Sequence, residues 1–297
     1  LKEEVYEQYK PKMVRYVRMD KAYSTEEKLE ELLNSLTRAP KQSVVVLSLF
    51  QLQATSKKPI KVSELETTSN SSSAVIKALI DKNILEEYFV QTDRVTYANE
   101  EENSDLKSLN EYQKEALLSI EENFKNNKPT LLHGVTSSGK TEVYVKLIED
   151  CIRNKQQALY LLPEIALTTQ LISRLQEYFG EKVAVYHSKY SVQERVEVWN
   201  NVLANKPKAQ IVIGARSALF MPFKSLGLVI VDEEHESSFK QYDPAPRYHA
   251  RDAAIVLGSL HGANILLGSA TPSVESFYNV QIGKYGYASI QRRFGNV

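Results

Sequence analysis

The clearest chemistry in the chain lies in one short stretch. Gly134-Val135-Thr136-Ser137-Ser138-Gly139-Lys140-Thr141 fits the spacing G-x-x-x-x-G-K-[ST] and sits between an apolar run and a helix-forming one. The glycines let the backbone wrap a phosphate, and loop amides at a helix N-terminus supply partial positive charge there. Lys140 is placed to reach β- and γ-phosphates, and Thr141 to put its hydroxyl on Mg²⁺. A second signal is the apolar run Leu226 to Val231, which ends in Asp232-Glu233-Glu234-His235. Adjacent acids at a strand end repel one another unless a cation is near. Asp232 is expected to anchor Mg²⁺, and Glu233 to polarise the attacking water as general base. His235 belongs to the same catalytic group. Ser269-Ala270-Thr271 follows another apolar run, where small hydroxyl residues can relay between a nucleotide site and a moving part.

These residues need a rigid frame. From Leu109 onward, helical patterns alternate with short apolar runs. The periodicity predicts helices over 110–126, 140–154, 165–179, 191–204, 247–260 and 272–282. Strands are predicted over 130–133, 158–162, 182–186, 210–213, 227–231 and 263–268. That alternation implies an α/β, doubly wound parallel sheet with helices on both faces. The lobe is expected to span 109–284, with 285–297 holding no complete element.

The N-terminal third reads differently. Residues 1–23 suggest a strand and connector, from partial alternation at Lys12, Val14, Tyr16, Val17 and Arg18. Residues 24–97 form a compact unit. A Ser24/Glu27 capping box opens a helix, Pro40 interrupts, and an apolar helix covers 44–52. Ser63/Glu66 suggests a second box, and Ser71–Ser73 cap a helix carrying Val75, Ile76, Leu79 and Ile80 on one side. Two short strands are expected around Thr92-Asp93. Three helices followed by a hairpin look like a winged helix. Its third helix carries only Lys77 and Lys82, which favours a shape-reading or structural role over base reading. Residues 98–108 are acidic and read as a linker.

Composition sets outer limits. The 297 residues suit roughly two domains of ~150 each. With 42% hydrophobic and 25% charged residues, disorder of the whole chain is excluded. No run of about 18 uncharged apolar residues exists, so no spanning helix and no membrane partner are expected. Lys+Arg and Asp+Glu both number 37, which argues against a histone-like binder while leaving room for a local basic groove. Cys151 is the single cysteine, so a disulfide scaffold and a multi-cysteine zinc site are excluded within this stretch. The start at Leu1 and the incomplete end suggest a piece of a longer protein.

In their order, Gly-Lys-Thr, Asp-Glu-Glu-His and Ser-Ala-Thr resemble the first motor lobe of a superfamily 2 helicase. The stretches 134–144, Leu161-Leu-Pro-Glu-Ile-Ala-Leu167, Gly214-Ala-Arg-Ser-Ala-Leu-Phe220 and Pro246-Arg-Tyr-His-Ala-Arg-Asp252 go further. Together they resemble the primosomal replication-restart helicase family, PriA, specifically from 109 onward and more softly before. The resemblance implies a RecA-like P-loop lobe after a winged helix, using ATP and Mg²⁺. It also implies a second motor lobe with a cysteine-rich zinc insertion elsewhere in the full-length protein. It makes Gln113 the adenine reader, and Thr168 and Thr169, after strand 158–162, candidates for tracking-strand phosphate contacts or else a simple helix cap, while His187-Ser188 follows the next strand. Arg216 is expected to bind phosphate or brace a neighbouring acid. The loop 239–251, aromatic, basic and stiffened by proline, is expected to couple single-strand binding to hydrolysis. Gln241, Tyr242, Arg247, Tyr248, Arg251 and Thr271 belong to that coupling, with His235 and Gln241 linking the loop to the γ-phosphate. The implied activity is 3′→5′ unwinding of stalled or collapsed forks for replication restart. The implied partners are forked and single-stranded DNA, single-strand binding protein and primosome loading proteins, in the nucleoid-associated bacterial cytoplasm. Two alternatives stay open: another superfamily 2 translocase, against which the 246–252 loop speaks, and a nucleotide-gated winged-helix adaptor, against which Glu233 speaks.

Overall fold

The computed structural model describes residues 10–23, 26–55, 59–95, 108–163, 169–187 and 190–291. The chain divides into two compact units, 1–94 and 95–297.

The first unit runs β1 (Lys12–Met19), α1 (Glu26–Ser35), α2 (Pro40–Thr55), β2 (Ile60–Lys61), α3 (Val62–Thr68), α4 (Ser73–Asp81) and β3 (Leu85–Thr92). Its antiparallel sheet has the order β2-β1-β3. β1 is the central strand, pairing Val17 with Ile60 on one side and Lys12 through Met19 with Thr92 through Leu85 on the other. Strand 12–19 therefore belongs to the winged-helix unit and is not a connector before it. Among the described residues the hairpin expected around Thr92-Asp93 shows one strand, β3, whose partner β1 comes from far earlier in the chain. Pro40 is the first residue of α2, where its missing N–H costs nothing, and so opens a helix where an interruption was expected. α3 starts at Val62 with Lys61 as N-cap, which places Ser63 inside the first turn and dissolves the Ser63/Glu66 box. Ser72 is the N-cap of α4 but makes no side-chain cap bond. Val17, Leu49, Leu65, Ile76 and Leu79 are fully buried in one core. The proposed box at Ser24/Glu27 and nearly all of the linker 98–108 lie outside the described residues.

The second unit runs α5 (Glu111–Lys125), β4 (Thr130–Gly134), α6 (Lys140–Arg153), β5 (Gln157–Leu161), α7 (Thr169–Phe179), β6 (Val183–Tyr186) and α8 (Val192–Leu203). It continues with β7 (Ile211–Gly214), β8 (Leu226–Asp232), α9 (Ala250–His261), β9 (Asn264–Ser269), α10 (Val274–Gln281) and β10 (Gly286–Ile290). Seven strands pair in the order β10-β4-β9-β8-β5-β7-β6, every pairing parallel. Parallel strands buried on both faces need continuous apolar sequence, and β5 and β7 are buried at every position. Successive strand residues alternate between two cores. Leu132, Tyr160 and Ile230 pack with α5, α6 and α7; Leu131, Leu159 and Val229 pack with α8 and α9. Asn110 and Gln113 close a reciprocal capping box on α5, and Ser191 and Glu194 do the same on α8. The tail expected to hold no complete element contains β10, an edge strand that pairs with β4 residue for residue. Among the described residues no helix is long and apolar enough to cross a membrane.

The order brings three strand tips together. β4 leads into the glycine-rich loop and β8 into the acids, while β9, between them, leads into Ser269 and Thr271. Carboxyl ends of parallel strands are where open α/β sheets hold ligands.

Candidate active site

The glycine-rich loop has the backbone that its sequence demands. Gly139 sits at φ +83°, where an L side chain is strained, and a Cβ there would overlap the Gln113 amide. Ser137 also takes positive φ, at +62°. Gly134 accepts a hydrogen bond from Lys140 Nζ at 3.0 Å, and Val135 N donates to Ile290 O of β10 at 3.4 Å. Beyond the loop lies a cavity of about 420 Å³. Thr136, Ser137, Ser138, Gly139, Lys140 and Thr141 line it from one side, Asp232 and Glu233 from the other.

This cavity fits a nucleotide phosphate chain and its cation. Ser138 Oγ is buried and has no hydrogen-bond partner, which is costly unless a ligand atom meets it. Lys140 Nζ stands 3.9 Å from Glu233 Oε1, so a cation faces a carboxylate across a gap. Thr141 and Asp232 offer the hard oxygen ligands that Mg²⁺ takes.

The acids are held differently from one another. Burial pushes the Asp232 carboxyl above its ordinary range, against hydrogen bonds from Tyr144 and Tyr160 and the pull of Lys140. Burial also raises Glu233, and the neighbouring Asp232 charge raises it further, while Lys140 opposes both. A carboxylate made more basic than usual suits a general base. Glu233 holds φ +50°, a left-handed conformation that non-glycine residues rarely adopt.

Glu234 does something else. It is fully buried, and Oε2 accepts from Arg251 Nη1 at 3.0 Å, Ser273 Oγ at 3.0 Å and Ser276 Oγ at 2.8 Å. Oε1 accepts from Ser273 N at 2.7 Å. This acid staples the strand end to α9 and to the start of α10. Glu234→Ala would strand the Arg251 guanidinium, which is itself almost buried. The expected loss is about 3–5 kcal/mol, seen as a lower urea midpoint at unchanged slope. A loss below ~1 kcal/mol would show that Asp252, bonded to Arg251 Nε at 2.8 Å, serves that arginine alone.

His235 faces the third strand tip. Its Nδ1 lies 2.8 Å from Ser269 Oγ and its Nε2 3.3 Å from Thr271 Oγ1. Nδ1 is also 3.7 Å from Glu233 Oε2. The acids and Ser-Ala-Thr are thus joined through one imidazole.

Several expected roles change. Gln113 is completely buried; its Oε1 closes the capping box and its Nε2 donates to Gly139 O at 3.2 Å, so it braces the phosphate loop. Among the described residues Arg216 pairs with no acid. Its Nη1 donates to the carbonyls of Ser238 and Lys240, both at 3.2 Å, and so ties down the base of the 239–251 loop. Gln241 does not reach the phosphate cavity. Its Nε2 donates to Pro244 O and Pro246 O, at 2.8 and 3.1 Å, and so holds the proline-rich turn. Arg251 is buried against Glu234 and so cannot touch DNA. Tyr248 is half-buried, edge-on to Phe220 at 5.2 Å. Tyr242, by contrast, is 69% exposed, and Arg247 is exposed beside the same turn. His249 is a packed residue, lowered by burial. Trp199 is exposed on α8. Burial pushes the Cys151 thiol up to about 12, so it is inert. Thr168, Ser188, Arg292 and Arg293 lie outside the described residues, as does the side chain of Thr169.

Other contributors were not visible as such. Tyr144 and Tyr160 bind Asp232, and Arg174 lines the cavity while pairing with Glu142. Tyr144 does carry a signal, one helical turn beyond Lys140. Tyr160 is a lone hydroxyl in an apolar strand.

A glycine-rich phosphate loop facing acids across a cavity at the strand tips of a parallel sheet is the layout of a RecA-like P-loop lobe. The chain belongs to the DEAD/DEAH box helicase family, whose family model matches residues 110–280. The model of the PriA helicase winged helix domain, Bacteroidota, matches residues 14–92. The chain is 38% identical over 285 residues to the Replication restart protein PriA of Bacillus subtilis (strain 168), covering 95% of this chain and 34% of that one. It is 48% identical over 192 residues to the protein of that name from Rickettsia felis, covering 65% and 29%. The Haemophilus influenzae protein of the same name is 40% identical over 250 residues, covering 82% and 34%. The chain thus spans about a third of the length of the curated relatives it matches.

Proposed function

We propose that this chain is the winged helix and nucleotide-binding lobe of an ATP-driven 3′→5′ DNA helicase that unwinds stalled or collapsed forks so that replication can restart. The observation that carries the reading is the facing of Lys140 and Glu233 across a cavity lined by residues 136–141 and Asp232. The relatives' name, Replication restart protein PriA, supports the biological setting. Forked and single-stranded DNA, single-strand binding protein and primosome loading proteins are the proposed partners.

Each residue has a task. Lys140 supplies positive charge beside the β- and γ-phosphates. Thr141 and Asp232 would hold Mg²⁺, which neutralises phosphate charge when bound. Glu233 takes the proton of the attacking water. His235 passes the state of the acids to Ser269 and Thr271. Gln113 fixes Gly139, and adenine reading would fall to the remaining hydrogen of its amide. The 239–251 loop presents Tyr242 and Arg247 to an unpaired strand, while Arg216 and Gln241 hold the loop's shape.

The loop provides the test. Tyr242→Ala in the full-length protein removes one stacking ring, worth ~1–3 kcal/mol, and should weaken single-strand binding ~5- to 150-fold. DNA stimulation of ATP turnover should fall with it. Tm should not move, because Tyr242 is mostly solvated. Unchanged affinity and unchanged stimulation would remove the loop from the DNA path.

A further inference from the structure

The Asp232 carboxylate is the meeting point of α6, β5 and β8. Tyr144 Oη, from α6, donates to Oδ1 at 2.9 Å, and Tyr160 Oη, from β5, donates to Oδ2 at 3.0 Å. The backbone N–H of Glu233 also donates to Oδ1, at 3.1 Å. A carboxylate offers about four lone-pair directions. Among the described residues, two are taken on Oδ1 and one on Oδ2. One acceptor direction on Oδ2 is left, on a side chain that lines the phosphate cavity.

The two tyrosines cannot turn away from this duty. Both are fully buried in the core beneath α5, α6 and α7, and their rings meet edge-to-face at 5.6 Å. The sheet is shaped around them. Gly268 stands opposite Asp232 in the β8–β9 pairing, and a Cβ there would overlap the Tyr144 hydroxyl. Phenylalanine would fill the same volumes without burying two hydroxyls, and burying a polar group is costly unless it is bonded. Packing therefore explains the rings but not the oxygens.

We propose that Tyr144 and Tyr160 are positioning residues which fix Asp232 with a single open acceptor and so set the affinity of the site for the divalent cation that accompanies the nucleotide. The proposal rests on the nucleotide-site reading given above. It makes the tyrosines act through Asp232 and not through the phosphates.

The test uses the full-length protein carrying Tyr144→Phe or Tyr160→Phe. Binding of fluorescent ADP is measured in EDTA and across a Mg²⁺ titration. In EDTA each variant should match the parent, which also shows that the fold and the phosphate loop are intact. The Mg²⁺ concentration giving half of the affinity gain should rise about 10- to 100-fold, with the plateau recovered at high Mg²⁺. The same Mg²⁺ dependence in the parent and both variants overturns the proposal. Loss of metal-free ADP binding in both variants overturns it as well, because the tyrosines would then shape the whole cavity. A parent that binds ADP no better with Mg²⁺ than in EDTA brings down the nucleotide-site reading itself, and this proposal with it. That result is distinguishable from the first, in which the parent responds to Mg²⁺ and the variants respond alike.

Discussion

Lys140→Ala is expected to abolish ATP binding, and Glu233→Gln to keep binding while stopping turnover. The two residues face each other at 3.9 Å, yet their tasks differ. Lys140 is the cation that meets the β- and γ-phosphates, and without it Asp232 and Glu233 face a polyanion while Arg174, the other cation lining the cavity, is already paired with Glu142. Like charges at such a distance cost several kcal/mol in a partly buried site, enough to move affinity by more than ~100-fold. Glu233→Gln removes a negative charge from the same wall, so binding should hold or tighten. The amide cannot accept the proton of the attacking water, and general-base catalysis is typically worth ~10²–10⁴-fold in rate. Calorimetry with a slowly hydrolysed ATP analogue reads the first effect, and single-turnover hydrolysis by the full-length protein reads the second. Equal affinity in Lys140→Ala and parent would reject the phosphate-loop assignment. Normal turnover in Glu233→Gln would move the base elsewhere.

What the sequence reveals and what it hides follow from how local each feature is. β5, β7 and β8 are legible because a strand buried on both faces must be apolar throughout. The phosphate loop is legible because all of its chemistry lies within residues 134–141. β10 was missed for the opposite reason. It is a short edge strand containing glycine and serine, with exposed and buried positions alternating, and only its pairing with β4 defines it. β1 was visible as a strand, but its central place depends on partners more than forty residues away, at Ile60 and beyond. Ser63 misled because Val62, buried in the core, draws the helix start two residues earlier than a cap at Ser63 allows. In the site, residue types are legible in the sequence and side-chain directions are not. A basic or amide side chain in a loop reads equally as a DNA contact or a brace. Arg251 is turned inward by the buried charge of Glu234, and Gln241 by the carbonyls of Pro244 and Pro246. The acid triplet shows the same limit, since adjacent residues in a turn point apart: Asp232 to the tyrosines, Glu233 to Lys140, Glu234 to Arg251.

The 297-residue chain by itself is expected to bind Mg-nucleotide weakly and to turn it over negligibly, with or without DNA. Hydrolysis by such motors needs positive charge on the γ-phosphate from an arginine across the cleft, worth ~10³–10⁵ in rate. The chain supplies one wall of that cleft, made by the loop after β4 and the acids after β8. The arginines near this wall are already committed. Arg216 is bound to two carbonyls of the 239–251 loop, and Arg251 is buried with Glu234. Arg247 is exposed on the loop that is proposed to face DNA. Gln291-Arg-Arg293 superficially resembles a finger motif, but it follows Ser269-Ala-Thr271 too closely and lacks the motif's glycine and later arginine; both arginines lie outside the described residues. Among the described arginines, Arg174 lines the cavity, and it is paired with Glu142. A phosphate could draw Arg174 from that pairing only by leaving Glu142 without its partner, a cost that opposes the exchange. The check compares ATP turnover by the 297-residue chain and by the full-length protein, each with and without single-stranded DNA. Turnover by the chain alone near about one per second, within the ordinary range for enzymes, would sink the prediction. Arg174→Ala in that same chain would then identify the arginine that completes the site.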